Sequence, residues 1–223
     1  MIFQNERDLQ IELSSADPSN WCEQSIFFIK REVSIGECIP DMICVGYQMI
    51  PTESIWPRKW KSKYSFVLSL LRSYGALSIN QIADFCFEET KNILPLVLEL
   101  KKEETIICLD DRYYLSPAIA LIEAEVIAIE AKLKNWREAL AQGIRYKKFS
   151  DKVIVAMDAH GVPRASEILY KFIESNVGLC AISRNEIEWL VRPLKNDPSD
   201  SYDKEYIVDS TLVPCRQILW ERR

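Results

Sequence analysis

Two short apolar runs that abut charge constrain this chain more than any other feature. Asp41-Met42-Ile43-Cys44-Val45 reads as a strand, short and apolar enough to be buried on both faces. Val126-Ile127-Ala128-Ile129 reads as another, within a strand predicted over Glu125 to Leu133, and it runs directly into Glu130-Ala131-Lys132. In extended chain, residues i and i+2 project to the same side. Glu130 and Lys132 therefore leave one face together, and they can form a site with Asp41 if the two strands are neighbours.

The remaining patterns place those strands in an α/β body interrupted by a different grammar. Glu6, Leu9 and Leu13 fall at i, i+3 and i+7 of a first helix. Asp17-Pro18 marks a turn, and Ile26 to Glu37 is rich in β-branched and aromatic residues and predicts a strand. Between about 56 and 118 the periodicity turns helical. Phe66, Val67, Leu70, Leu71 and Tyr74 make one helical face that stops at Gly75, and Ser78 is an N-cap for a short helix to Phe87. A third helix runs from Glu88 to Lys102, with Pro95 predicting a kink or break. Thr105 to Leu109, the turn Asp110-Asp111 and Arg112 to Leu115 read as a hairpin. Three helices followed by a hairpin resemble a winged helix-turn-helix domain. From Ala120 the strands and helices alternate again: a helix from Trp136 to Tyr146, a strand from Lys152 to Met157, a helix from Arg164 to Ser175, a strand from Gly178 to Ile182 and a further strand at Glu188 to Val191. The predicted organisation is a first part over 1–55, an inserted domain over 56–118, a second part over 119–195 and a polar tail over 196–223.

Composition excludes several classes. No apolar run approaches the roughly 20 residues of a membrane span. The N-terminal residues lack a basic segment followed by an apolar one, so no secretory signal is expected. The seven cysteines are scattered and odd in number and form no CxxC, which fits a reducing cytoplasm. His160 is the only histidine and reads as a loop residue, so a Cys/His zinc site is not expected.

Hydrolysis of a phosphodiester at neutral pH needs hard oxygen ligands for a divalent cation, an aimed water and positive charge against the transition state. Carboxylates suit Mg²⁺, with Mg–O distances of about 2.0–2.1 Å. On Pro40-Asp41 and Glu130-Ala131-Lys132 the chain resembles the PD-(D/E)xK nuclease superfamily. The resemblance covers about 1–50 and 120–182. It implies a restriction-endonuclease-like mixed sheet flanked by helices, carrying here a small winged-helix-like insert across the 89 positions between Asp41 and Glu130. It further implies that Asp41 and Glu130 bind Mg²⁺ or Mn²⁺, that the Ala131 carbonyl joins them, and that Lys132 serves the attacking water. Gln142-Gly143-Ile144-Arg145-Tyr146 resembles the QxxxY motif of exonuclease-type members, with Gln142 and Tyr146 at i and i+4 facing the substrate phosphate. A further acid from the first helix would be Glu6, with Glu12 and Glu23 as alternatives. Glu89-Thr90-Lys91 repeats the ExK spacing in a polar helical context and reads as a decoy.

Charge distribution adds a candidate path for a polyanion. Residues 132–152 hold seven basic side chains and two acidic ones, a net +5, so the rest of this −5 chain sums to −10. Lys134, Arg137, Arg145, Lys147 and Lys148 are the candidate nucleic-acid contacts of that strip. A solvated helix face is the plainer reading of the same charges. Trp136 is expected to anchor the core rather than stack on a base. The stretch Trp56 to Tyr64 interleaves Arg58, Lys59, Lys61 and Lys63 with three aromatics, which suits either a nucleic-acid strand or an interdomain linker. DNA is the expected partner. The acidic surface and the nearly neutral insert also leave room for a protein partner.

Overall fold

The computed structural model describes residues 2–24, 26–48, 61–120, 122–184, 186–199 and 202–211. Along the chain the elements are α1 (Glu6–Ser15), a 3₁₀ turn (Pro18–Asn20), β1 (Ile26–Arg31), β2 (Met42–Tyr47), α2 (Ser62–Tyr74), β3 (Leu77–Ser78), α3 (Ile79–Phe85) and α4 (Thr90–Lys102). They continue with β4 (Ile106–Leu109), β5 (Arg112–Leu115), α5 (Pro117–Ala120), β6 (Ala124–Lys132), α6 (Trp136–Tyr146), β7 (Lys152–Asp158), α7 (Ser166–Ser175), β8 (Gly178–Ser183) and β9 (Glu186–Val191). A last helical run covers residues 202–211. No helix among the described residues is long and apolar enough to cross a membrane.

The chain divides into two compact units, residues 1–47 with 124–204 and residues 48–123 with 205–223. The first unit is α/β. Its mixed sheet has the order β1-β2-β6-β7-β8-β9. β6, β7 and β8 run parallel, and β1, β2 and β9 pair antiparallel to their neighbours. The apolar runs form the middle of this sheet because both their faces are covered: every residue of β2 is buried, and so is β6 from Val126 to Ala131. On one face, Leu9 and Leu13 of α1 join Met42, Cys44, Ile127, Ile129, Ala131 and Ile154 in a single core. Complete burial of each leucine contributes about 1.5–3 kcal/mol. On the other face α6 lies close to β7. A Cβ on Gly143 would stand 3.1 Å from Val153 Cγ1 and 3.2 Å from Val177 Cγ1. That approach needs a glycine at mid-helix, despite its cost of about 1 kcal/mol relative to alanine.

The second unit holds α2, α3 and α4 with a small sheet ordered β3-β5-β4. Ser78 caps α3 through a reciprocal capping box with Gln81. α4 is continuous through Pro95, so of the kink or break expected there the break does not occur, and the helix starts at Thr90 rather than Glu88. Arg72 of α2 meets Glu205 and the fully buried Asp209, the latter at 3.1 Å.

A further expectation is corrected. The strand from Ile26 ends at Arg31 rather than Glu37: Glu32 turns to φ +49°, and an Ile35–Cys38 bridge closes a tight turn through Gly36 at φ +54°. Within the tail, residues 202–211 are helical.

Candidate active site

The pairing of β2 with β6 brings the sequence-distant candidates together. Met42 stands opposite Ile129, so the antiparallel register carries Asp41 to Glu130. The Ala131 N–H donates to Asp41 Oδ2 at 2.7 Å, across 90 residues of sequence. Gln10 of α1 donates from Nε2 to Asp41 Oδ1, also at 2.7 Å. Both oxygens of this carboxylate are thus held, one by a backbone group and one by a side chain. Burial pushes its pKa above the usual carboxylate value, and the Ala131 N–H and the Lys132 charge offset this in part.

Glu130 is almost fully buried at 2% exposure. Burial, together with the nearby charge of Asp41, pushes its pKa up to about 7. Its Oε2 accepts from the Tyr146 hydroxyl at 2.7 Å, and its Oε1 lies 3.4 Å from Lys132 Nζ. Burial works against the Lys132 ammonium, but Glu130, Glu6 and Asp41 together outweigh it and raise the lysine's pKa. Glu6 Oε2 lies 3.5 Å from the same nitrogen. Three carboxylates therefore gather around one lysine.

Of the helix residues of the QxxxY pattern, Tyr146 is buried, bonds to Glu130 and reaches the Ile39 carbonyl at 3.4 Å. Its ionisation is strongly suppressed by burial and by Glu130. Gln142 is half-buried, and its Oε1 is enclosed without a hydrogen-bond partner among the described residues. Of the alternative acids, Glu23 lies 3.9 Å from Lys152, at the far end of β7 from the Lys132 register position.

The residues of the basic strip fall into two groups. Lys132 belongs to the carboxylate cluster. Lys152 pairs with Glu125 at 2.9 Å, and Lys147 donates to the Ser175 carbonyl at 2.9 Å. Lys134, Arg137, Arg145 and Lys148 remain exposed. Lys61 pairs with Glu99 at 2.5 Å, while Arg58 and Lys59 lie outside the described residues. Trp136 is half-buried against Phe172, and His160 is exposed in the loop after β7.

Sequence patterns missed two contributors. Gln10 shows only as a polar residue of α1, and no motif marks it. Asp158 shows only as the end of an apolar strand. It is fully buried and accepts from the N–H groups of Ile2 (2.7 Å), Phe3 (2.9 Å) and His160 (2.8 Å), which ties down the chain just ahead of α1.

The hard oxygens available to a cation are those of Asp41, Glu130 and Glu6. Among the described residues no group of three or more His, Cys, Asp or Glu side chains is arranged as a ready metal cage. No protein-family model and no curated protein matches the sequence. Among solved structures, a protein of unknown function from Silicibacter pomeroyi is similar, with 14% identity and a TM-score of 0.31 over 71% of this chain and 88% of that one. A likeness of that size carries no inference.

Proposed function

We propose that the first unit is a Mg²⁺- or Mn²⁺-dependent nuclease of the PD-(D/E)xK kind, hydrolysing phosphodiester bonds of DNA. The observation that carries this reading is the register of β2 on β6, which sets Asp41 against Glu130-Ala131-Lys132. The succession β6, α6, β7 after the ExK pattern supports it too, because the resemblance calls for a helix and a strand there. The cation fits the residues present. Mg²⁺ keeps several waters and uses one or two carboxylates plus substrate phosphate rather than a full protein cage, so Asp41 and Glu130 suffice. A buried and a half-buried carboxyl that are both harder to ionise than usual are an arrangement that a divalent cation would relieve.

In this reading Asp41, Glu130 and the Ala131 carbonyl would hold the metal, which would supply Lewis-acid polarisation of the phosphate and positive charge against its developing negative charge. Lys132 orients the attacking water and donates to the forming negative charge. Tyr146 fixes the Glu130 carboxylate, Gln10 fixes that of Asp41, and Glu6 holds Lys132 in the cluster. The second unit, with three helices and a β3-β5-β4 sheet, is read as a winged-helix-like accessory that meets DNA or a protein.

The test is cleavage of supercoiled plasmid and end-labelled linear DNA in Mn²⁺, Mg²⁺ or EDTA by wild type, Asp41→Ala and Lys132→Ala. Metal-dependent cutting that both substitutions abolish is expected. Cutting that survives both would place the chemistry elsewhere. A second reading, a DNA-binding protein that keeps the fold without cutting, draws on the mutual satisfaction of the site: Tyr146 and Lys132 already occupy both Glu130 oxygens. Salt-dependent DNA binding by folded wild type, with no cleavage in either metal, would favour it.

A further inference from the structure

Trp136 opens α6 four residues after Lys132, and two cations converge on its ring. The Arg137 guanidinium carbon lies 4.7 Å from the ring centroid, and Lys171 Nζ of α7 lies 5.8 Å from it. Phe172 supports the indole from the core at 6.3 Å between centroids, so the ring is a fixed platform rather than a loose side chain. Arg137 and Lys171 are both exposed, and neither forms an ion pair within 4.0 Å among the described residues. The acids nearest in sequence are Glu138, which accepts from Asn135 at 2.9 Å, and Glu167 and Glu174 on α7. Lys134, also exposed, precedes the helix. The arrangement gathers like charges that no ion pair within 4.0 Å neutralises among the described residues. It does so beyond the carboxyl end of β6, the end of the parallel strands where open α/β sheets take their ligands.

We infer that Trp136, Arg137 and Lys171 form a seat for the sugar-phosphate backbone of the nucleic acid, next to the Asp41–Glu130–Lys132 cluster. The inference rests on the nuclease reading and names how that site holds its substrate. Arg137 stacked on the indole has its planar fork pre-oriented for a phosphate, and Lys171 adds a point charge. A guanidinium lying over the ring takes the place a base would need, so the contact reads backbone and not sequence. Lys171 lies outside the basic strip read from the sequence, because α7 reaches the ring only in the folded sheet.

The experiment is anisotropy of a short fluorescein-labelled DNA duplex in EDTA across a KCl series. It uses wild type, Arg137→Gln, Lys171→Gln, the double variant, Trp136→Leu, and Lys91→Gln on α4 as control. Each phosphate contact removed should lower the slope of log K against log [KCl] by about one, so the double variant loses about two and the control none. Slopes equal to wild type in both single variants and the double would overturn the seat. The nuclease reading would survive that result if wild type still cuts in Mn²⁺ and Asp41→Ala does not. A loss of affinity confined to Trp136→Leu, with single-stranded DNA preferred over duplex, would make the ring a base-stacking surface and also overturn the backbone assignment. Absence of DNA binding by folded wild type at any salt would remove the seat, whereas the nuclease reading is decided by the cleavage assay.

Discussion

Both ends of β6 carry an acid beside a lysine, yet the two ends are built on opposite rules. At the start, Glu125 meets Lys152 at 2.9 Å, and the neighbouring Asp151 accepts from the Val126 N–H at 2.8 Å and from Lys204 at 2.7 Å. Glu125 and Asp151 there each have a lysine, and only the exposed Glu23, at 3.9 Å, shares the first of them. At the other end Asp41, Glu130 and Glu6 gather about Lys132 alone, and the two most buried acids are both held above their usual pKa. The first arrangement is complete as a protein. The second keeps an excess of negative charge in a low-dielectric place, where an unmatched charge is costly. Natural chains retain such imbalance where a ligand or a reaction uses it.

The comparison can be broken at its strongest point by exchanging the lysines. Lys132→Ala should lower metal-dependent cleavage about 10²–10⁴-fold, the range typical of a positioned proton-transfer group. Lys152→Ala should leave the rate nearly unchanged and cost stability instead. Equal losses of rate in the two variants would erase the distinction.

Stability should show the reverse order. Asp151→Ala leaves Lys204 and the buried Val126 N–H without their acceptor and should cost about 3 kcal/mol in chemical denaturation. Glu130→Gln should stay within about 1 kcal/mol of wild type at neutral pH while abolishing cleavage. A carboxyl with its pKa near 7 is already about half protonated there, and the amide keeps its shape. A large destabilisation by Glu130→Gln would mean that this end of β6 is as structural as the other.

Gln10 sharpens the contrast, since it serves a carboxylate and not a charge pair. Gln10→Met should weaken Mn²⁺ binding, read by calorimetry, by about 10–100-fold, as losses of outer-shell partners do. Unchanged Mn²⁺ affinity would reduce Gln10 to a helix-surface residue.

The smallest expected effect concerns acid. Burial alone would raise the pKa of Asp158, but the N–H groups of Phe3, His160 and Ile2 overcome it and hold the carboxyl below its usual value. A folded pKa below the unfolded one, near 3.9, contributes stability that is complete above that value and is lost as pH falls through the folded pKa. Asp158→Asn should therefore flatten the acid side of the stability–pH curve below about pH 4. A curve identical to wild type would detach Asp158 from the anchoring of α1.

Much of the body was legible before any coordinates. Short unbroken apolar runs at Met42–Val45 and Val126–Ile129 marked buried strands, and the i, i+3, i+7 face of Glu6, Leu9 and Leu13 marked the helix that covers them. The same-side projection of Glu130 and Lys132 also follows from strand geometry alone. The limit of the strand from Ile26 was not legible, because β-branched composition continues past the point where Glu32 turns to positive φ. Nor was the continuity of α4 through Pro95, since the packing of Ile93, Leu96, Val97 and Leu100 outweighs the missing hydrogen bond.

The sequence by itself determined most of the strands and helices between α1 and β9, and which of them end in charge, because both depend on residues a few positions apart. Only the tertiary structure decided which charges share a lysine and which have one each. It alone turned Tyr146 inward to Glu130, tied Lys147 to a helix end, and brought Gln10 to Asp41 and Lys171 to Trp136. Those outcomes depend on strand order, helix side and burial. They set which groups meet and in what dielectric, and no local pattern encodes either.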